Sequence, residues 1–181
     1  KVQLMENTPK KLFLLDAYAL IFRSYYAFIK NPRITSKGLN TSAIFGFLLT
    51  LEEILQKQKP SHIAVVFDTP KPTFRHEMYS EYKANRDETP EDIKKAVPYI
   101  KRLIEAYKIP VIDYPGFEAD DVIGTLAKKA SEKGFTTYMM TPDKDFAQLV
   151  SDRILMFKPS RSGNESVQWG VEDIKREFSV K

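Results

Sequence analysis

The sequence predicts an α/β fold in which a mostly parallel central sheet is covered by helices on both faces. Short apolar runs, typical of buried strands, alternate along the chain with longer segments whose apolar residues recur at helical spacing. Several of the apolar runs also end on an acidic residue. This alternation favours βαβ units, in which successive strands run parallel and the connecting helices pack on the sheet.

Five apolar runs are predicted to be strands: 12–15, 62–67, 109–113, 135–140 and 153–157. The segments between them predict helices at 43–55, 91–107, 117–130 and 146–150. Segment 17–29 has helical or loop character, and a last helix is expected to begin within 170–181.

Composition limits the classes of protein that are possible. With 181 residues and 43% hydrophobic content, the chain can bury a core of its own. It has no cysteine, so any metal must be held by oxygen atoms or by His62 and His76. No apolar run approaches the roughly 20 residues that cross a membrane, and no signal-peptide pattern is present. We expect a soluble intracellular protein whose net charge of +4 permits an anionic partner.

Three carboxylates crowd the start of the predicted helix at 117–130. They are Glu118, Asp120 and Asp121, and Pro115 and Gly116 lie just upstream of them. Acidic residues are favoured at a helix N-terminus by its dipole, so a solvated acidic cap is one interpretation. Like charges this close repel one another, and a bound cation would neutralise them. A metal site is therefore the second interpretation.

Further aspartates follow the predicted strands. Asp16 and Asp68 end two of them, and Asp143 and Asp145 follow a third. Each alone is typical of a turn or a helix cap, but the carboxyl ends of parallel strands share one edge, where ligands bind. A pocket of carboxylates without thiolates selects Mg²⁺ or Mn²⁺. Two such ions, about 4 Å apart, suit in-line displacement at phosphorus and predict hydrolysis of a phosphodiester.

The segment 69–90 is rich in charged and aromatic residues and poor in aliphatic ones. Basic side chains neutralise phosphates, and aromatic rings stack on unpaired bases. The candidates for these roles are Arg75, Lys83, Arg86, Tyr79 and Tyr82. The alternative is a solvated helix face with two half-buried tyrosines, and four acidic residues in the segment dilute its positive charge.

Four motifs together resemble the 5′-nuclease domain of bacterial family-A DNA polymerases, within the flap endonuclease superfamily. They are LLDAYALIFRSYYAF, VVFDTPKPTFRHEMYSEYKANR, GFEADDVIGTLA and TPDKDFAQLV, and the resemblance runs from about Leu12 to the C-terminus. It implies a PIN-like 5′-nuclease fold with a mobile helical arch around residues 70–95. It also implies metal-dependent, structure-selective cleavage of 5′ flaps, nicked duplexes and RNA primers in DNA replication and repair.

The resemblance also implies roles for individual residues. The first metal ion would be held by Asp16, Asp68, Glu118 and Asp120, with Asp121 in support. The second ion would face Asp143 and Asp145. Lys83, Arg75 and Arg86 would bind phosphate near the scissile bond as catalytic groups, and Tyr79 or Tyr82 would stack on a base.

The sequence departs from the family pattern in three ways. Ala17 and Pro142 stand where glycine is common, and the family continues beyond the position of Lys181 with two more metal-binding aspartates and a helix-hairpin-helix-like element. We expect residues 1–10 to be a flexible segment in which Met5 is a candidate native start. Residues 11–181 would form the nuclease domain, cut short before the duplex-binding part. Its second metal site would then be incomplete and its activity weak or absent.

The expected partners are 5′-flap, nicked or RNA-primed DNA and the remainder of a polymerase chain, with no membrane. We expect a monomer in the bacterial cytoplasm, associated with the nucleoid. Three rival interpretations stay open. A haloacid-dehalogenase-like phosphatase requires an aspartate where Tyr18 stands, and a PIN-class ribonuclease is usually shorter and lacks the YKANR segment. A DNA-binding module with vestigial carboxylates is the non-enzymatic alternative.

Overall fold

The computed structural model describes residues 10–85, 87–159 and 166–179. Its strands are β1 (Lys11–Asp16), β2 (His62–Val66), β3 (Val111–Ile112), β4 (Thr136–Met140), β5 (Ile154–Lys158) and β6 (Val167–Trp169). They form one sheet in the order β3-β2-β1-β4-β5-β6. Strands β1 to β5 are parallel, and β6 pairs antiparallel with β5 at one edge.

The α-helices are α1 (Ala17–Ala27), α2 (Ser42–Glu53), α3 (Phe74–Met78), α4 (Glu91–Ala106), α5 (Ala119–Glu132) and α6 (Val171–Phe178). A π-helical turn, Ile54–Gln58, continues α2, and a 3₁₀ helix, Lys144–Leu149, follows β4. Within the described residues, no helix is both long enough and apolar enough to cross a membrane.

Two hydrophobic layers cover the sheet, because successive side chains of a strand point to opposite faces. Phe13 and Leu15 of β1 are buried in one layer together with residues of α1, α2 and α4, such as Phe47. Leu14 is buried in the other layer with residues of α5 and the 3₁₀ helix, such as Ile123. The prediction of a mostly parallel sheet with helices on both faces is confirmed.

The order of the strands creates a switch point beside β1. The chain leaves β1 for β2 and β3 on one side and then crosses to β4 on the other side. In open parallel sheets, ligands bind at the carboxyl ends of the strands where this reversal occurs. Asp16 is the last residue of β1, and the loop that carries Asp143 follows β4.

Several element boundaries differ from those expected. Strand β3 has only the two residues Val111–Ile112, since Pro110 has no N–H to donate and Asp113 is exposed. Strand β6 was not predicted, because it has three residues and two of them are exposed. The segment 70–95 contains α3, a series of turns and the start of α4. Its mobility stays a prediction, and residues 1–9 lie outside the described part of the chain.

Helices α1 and α2 pack closely at Gly46. A Cβ atom at this position would lie 2.7 Å from the Cβ atom of Ser24, which is buried and donates a hydrogen bond to the carbonyl of Leu20. Gly46→Ala is therefore expected to lower the free energy of unfolding by about 1–3 kcal/mol, the usual cost of overpacking, although alanine has the higher helix propensity. Urea denaturation followed by circular dichroism measures this change.

Gly124→Ala provides a matched control inside α5. Its added Cβ atom would meet only the end of the Leu149 side chain, at 3.1 Å, and that side chain can move. We expect a change of less than about 1 kcal/mol there. Equal stabilities of the two variants would show that the contact between α1 and α2 is not as tight as described.

Candidate active site

A cavity of about 350 Å³ opens at the carboxyl edge of the sheet beside the switch point. Five of the predicted acidic residues line it: Asp16, Asp68, Glu118, Asp120 and Asp143. Lys83 and Asp87 line it as well. The cavity therefore gathers carboxylates from the ends of two strands, from the loop after β4 and from the start of α5.

A second cavity, of about 420 Å³, adjoins the first and shares Glu118 and Asp120 with it. It is lined by the other two predicted acidic residues, Asp121 and Asp145, and by Arg75 and Tyr82. All seven predicted carboxylates thus line two neighbouring cavities. Of the predicted basic and aromatic residues, Lys83, Arg75 and Tyr82 also lie there.

Asp16 is held by both of its carboxylate oxygens. Its Oδ1 atom accepts a hydrogen bond from the Ala19 amide at 3.1 Å and so caps α1. Its Oδ2 atom accepts one from the hydroxyl of Thr141 at 3.1 Å. With 6% of its surface exposed, Asp16 is fixed at the base of the cavity by donors from two different elements.

Asp68 and Asp143 are also anchored by main-chain donors. The Oδ1 atom of Asp68 accepts a hydrogen bond from the amide of Ala119, the first residue of α5, at 2.8 Å. The Oδ1 atom of Asp143 accepts one from the amide of Asp145 at 3.0 Å and caps the 3₁₀ helix. These aspartates therefore serve as helix caps and also line the cavities, so the two interpretations of the acidic residues do not exclude each other.

Arg75 and Asp121 form a bidentate ion pair that joins α3 to α5. The two guanidinium nitrogens donate to the two carboxylate oxygens at 2.6 and 2.7 Å. This hydrogen bonding lowers the pKa of Asp121. The Oδ2 atom of Asp121 also accepts a hydrogen bond from the amide of Glu118 at 3.0 Å, which fixes the start of the helix.

Glu118 is buried and receives two further side-chain donors. The Lys83 ammonium lies 2.6 Å from Oε1, and the Tyr82 hydroxyl donates to Oε2 at 3.1 Å. The backbone of Lys83 is left-handed, with φ of 59°, a conformation that is uncommon for residues other than glycine. Lys83 thus brings a positive charge to the carboxylates at the centre of the site.

The carboxylates around the first cavity repel one another. Burial is the largest cause that raises the pKa of Asp16 to about 6, and the charges of Asp68 and Asp143 raise it further. The pKa of Asp120 is also raised to about 6, by desolvation and then by the charges of Asp16, Asp143 and Asp68. A cation at this place would relieve an electrostatic strain that the fold itself creates.

The donor atoms suit a hard divalent cation, since carboxylate oxygens prefer Mg²⁺, Mn²⁺ or Ca²⁺. Among residues 10–85, 87–159 and 166–179, no group of three acidic, histidine or cysteine side chains has the arrangement that would hold a metal ion. The contacts explain this, because Lys83 and Tyr82 engage Glu118, and Asp68 faces the Ala119 amide. A cation could be held after Lys83 leaves Glu118 and the carboxylates turn toward it.

The remaining predicted residues lie elsewhere. Tyr79 is 59% exposed, and its hydroxyl donates to Glu81 at 2.9 Å. Arg86 lies outside the described residues. Sequence reasoning did not identify Thr141 or Asp87 as part of the site. The position of Thr141 directly after an apolar run that leads into Asp143 was the one signal for it.

The raised pKa of Asp16 predicts a pH-dependent stability without divalent cations. Because the folded pKa of about 6 lies above the ordinary value of 3.8, the folded state keeps the proton more readily, and the free energy of unfolding falls as pH rises between these values. Asp16→Asn removes the buried charge and also one of the two hydrogen bonds that the carboxylate accepts. The pH-dependent gain in its free energy of unfolding relative to the parent chain should be about 2 kcal/mol at pH 8.

This gain should shrink toward zero near pH 4, which urea denaturation at several pH values in the presence of chelator can measure. Asp152→Asn, at an exposed position, controls for the loss of one negative charge. A difference in stability between Asp16→Asn and the parent chain that stays the same from pH 4 to pH 8 would contradict this electrostatic interpretation.

Comparisons with known proteins agree with this geometry. A family model described as 5′-3′ exonuclease, N-terminal resolvase-like domain, matches residues 11–179. A 5′-3′ exonuclease of Aquifex aeolicus is 43% identical over 172 residues, which cover 95% of this chain and 57% of that protein. A DNA polymerase I of Synechocystis sp. is 46% identical over 174 residues, covering 90% of this chain and 18% of that protein. The chain thus spans less than a fifth of the Synechocystis protein and less than three fifths of the Aquifex protein.

Solved structures share the fold. The 5′-exonuclease of bacteriophage T5 with bound zinc has a TM-score of 0.68 and 20% identity, covering 94% of this chain and 61% of that one. The catalytic core of Rad2 in complex with a DNA substrate has a TM-score of 0.56 and 19% identity, covering 96% and 51%. Since the family model covers nearly all of the sequence, the chain belongs to the family of 5′-3′ exonucleases with an N-terminal resolvase-like domain.

Proposed function

We propose that the chain is a divalent-metal-dependent 5′-nuclease domain that hydrolyses phosphodiesters at 5′ flaps, nicks and RNA primers. The observation that carries this proposal is the first cavity, which is lined by six carboxylates and a lysine. Membership of the family and the likeness to a T5 exonuclease with zinc and a Rad2 core with DNA support it.

The residues divide into two proposed ion positions, which Mg²⁺ or Mn²⁺ would occupy. Asp16, Asp68, Glu118 and Asp120 would hold the first ion, and Asp143 and Asp145 would face the second. Asp121, tied to Arg75 and to the Glu118 amide, would fix the start of α5. When bound, the ions would stabilise the negative charge that develops on the phosphate and help to generate the nucleophile from water.

The basic residues would bring the phosphate to the carboxylates. Lys83 pairs with Glu118, and Arg75 pairs with Asp121. Once cations neutralise these acids, each basic side chain would be free to form an ion pair with a phosphate instead. Exposed Tyr79 is available for stacking on a base. By the likeness to the Synechocystis relative, we further propose that the remainder of a DNA polymerase I would be the covalent partner, in a monomer of the bacterial cytoplasm.

Cleavage of a labelled 5′-flap DNA tests the proposal. A version of the chain extended to the length of the Aquifex relative should cut near the flap junction with Mn²⁺ or Mg²⁺ and not with chelator, and the 181-residue chain should cut more slowly or not at all. Asp68→Asn should lower the cleavage rate at least about tenfold. Substitution of residues that only support metal ligands already lowers metal affinity or activity about 10- to 100-fold. Asp152→Asn, which is exposed, should keep the parent rate.

A different result would favour the non-catalytic alternative. If the extended version binds the flap equally well with and without chelator and never cuts it, the DNA-binding module is the better description. Salt-dependent binding without any divalent cation would agree with that result, because phosphate contacts alone produce it.

The Lys83–Glu118 ion pair predicts competition between this lysine and the metal. Lys83→Met should increase Mn²⁺ affinity on the order of tenfold, because it leaves Glu118 without its ammonium partner. The same variant should cut DNA more slowly, because it lacks the cation that would bind phosphate. Electron paramagnetic resonance of free Mn²⁺ measures the affinity.

Lys108→Met is the control, since Lys108 has the same left-handed backbone, at φ of 57°, but is exposed and lies outside both cavities. It should change neither Mn²⁺ affinity nor cleavage. Weaker Mn²⁺ binding by Lys83→Met than by the control would show that Lys83 supports the metal site and does not compete with it.

A further inference from the structure

Thr141 lies at the switch point of the sheet, between the two elements that carry Asp16 and Asp143. Strands β1 and β4 pair in parallel with Leu15 opposite Met140, so the next residues, Asp16 and Thr141, stand side by side at the carboxyl edge. Thr141 is fully buried. A polar side chain at such a position needs hydrogen-bond partners.

The Thr141 hydroxyl makes two hydrogen bonds, one as donor and one as acceptor. It donates to the Oδ2 atom of Asp16 at 3.1 Å and accepts from the backbone amide of Asp143 at 3.1 Å. One oxygen atom therefore connects a carboxylate at the end of β1 with the loop after β4. That loop in turn places Asp143, which caps the 3₁₀ helix, and Asp145, whose amide donates to the Asp143 side chain.

Thr137 of β4 shows that a buried threonine does not necessarily make such contacts. It lies in β4 four residues before Thr141 and is also fully buried. Within the described part of the chain, its hydroxyl oxygen has no hydrogen-bond partner. Both are fully buried threonines, one inside β4 and one directly after it, and they differ in what the hydroxyl contacts.

We propose that Thr141 is a positioning residue whose hydroxyl holds the Asp16 carboxylate and the Asp143 loop at a fixed separation across the first cavity. This inference rests on the proposed function, in which Asp16 and Asp143 belong to the two ion positions. Thr141 would bind neither metal nor DNA. It would set the distance between the groups that do, as residues behind metal ligands commonly orient them.

Removal of the hydroxyl should disturb both carboxylates at once. Thr141→Val keeps the shape of the side chain but leaves the Asp143 amide without its acceptor and Asp16 without one donor. Thr141→Ser keeps the hydroxyl and removes only a methyl group. Thr137→Val makes the same chemical change at the threonine that has no partner, where it is expected to be nearly neutral.

The experiment combines a metal-free and a metal-dependent measurement on these variants. Amide hydrogen exchange in the presence of chelator should show an Asp143 amide that is protected in the parent chain, Thr141→Ser and Thr137→Val, and unprotected in Thr141→Val. Mn²⁺ affinity should fall 10- to 100-fold in Thr141→Val, and stay within about threefold of the parent in the other two. In cleavage, kcat should fall and KM for flap DNA should stay unchanged.

Unchanged amide protection and Mn²⁺ affinity in Thr141→Val would overturn the inference, as would a loss of both in Thr141→Ser, which keeps the hydroxyl. If Thr141→Val does not fold, Thr141→Ala removes the hydroxyl and leaves the same comparison. If neither the parent chain nor the version extended to the length of the Aquifex relative binds Mn²⁺ or cuts DNA, the proposed function is refuted. In that case the positioning role is overturned as well, while the exchange data still show whether the hydrogen bonds exist.

Discussion

The parallel pairing of β1 with β2 on one side and with β4 on the other is the constraint on which the site depends. It brings the carboxyl ends of three strands to one edge, and with them Asp16, Asp68 and the loop of Asp143. Helix α5 begins at the same edge, where the Ala119 amide donates to Asp68. The fold therefore creates a concentration of negative charge that the hydrophobic layers alone cannot stabilise.

The fold offsets this charge with local donors. Main-chain amides at the starts of helices donate to Asp16, Asp68 and Asp143, while Lys83 and Arg75 pair with the acids of α5. These contacts compensate the negative charge only in part, and the pKa values of Asp16 and Asp120 are still raised to about 6. Such perturbed groups in a cavity are typical of functional sites, where stability is given up for chemistry.

Much of this arrangement could be predicted from the sequence, because apolar runs that end on aspartate identify buried strands, and parallel strands share an edge. That reasoning located seven of the eight carboxylates that line the two cavities and missed Asp87. It could not find β6, whose three residues are too few to establish a pattern, nor the pairing of Arg75 with Asp121, which are 46 residues apart. Thr141 was missed because the role of its hydroxyl depends on Asp16, which is 125 residues away in the sequence.

The most direct measurement is anomalous X-ray diffraction from crystals of the chain soaked in Mn²⁺. The proposed site predicts an anomalous peak between Asp16, Asp68, Glu118 and Asp120, with the Lys83 ammonium moved away from Glu118. At saturating Mn²⁺, an intact Lys83–Glu118 ion pair and no peak in either cavity would contradict it. The acidic residues would then serve as helix caps and ion-pair partners only.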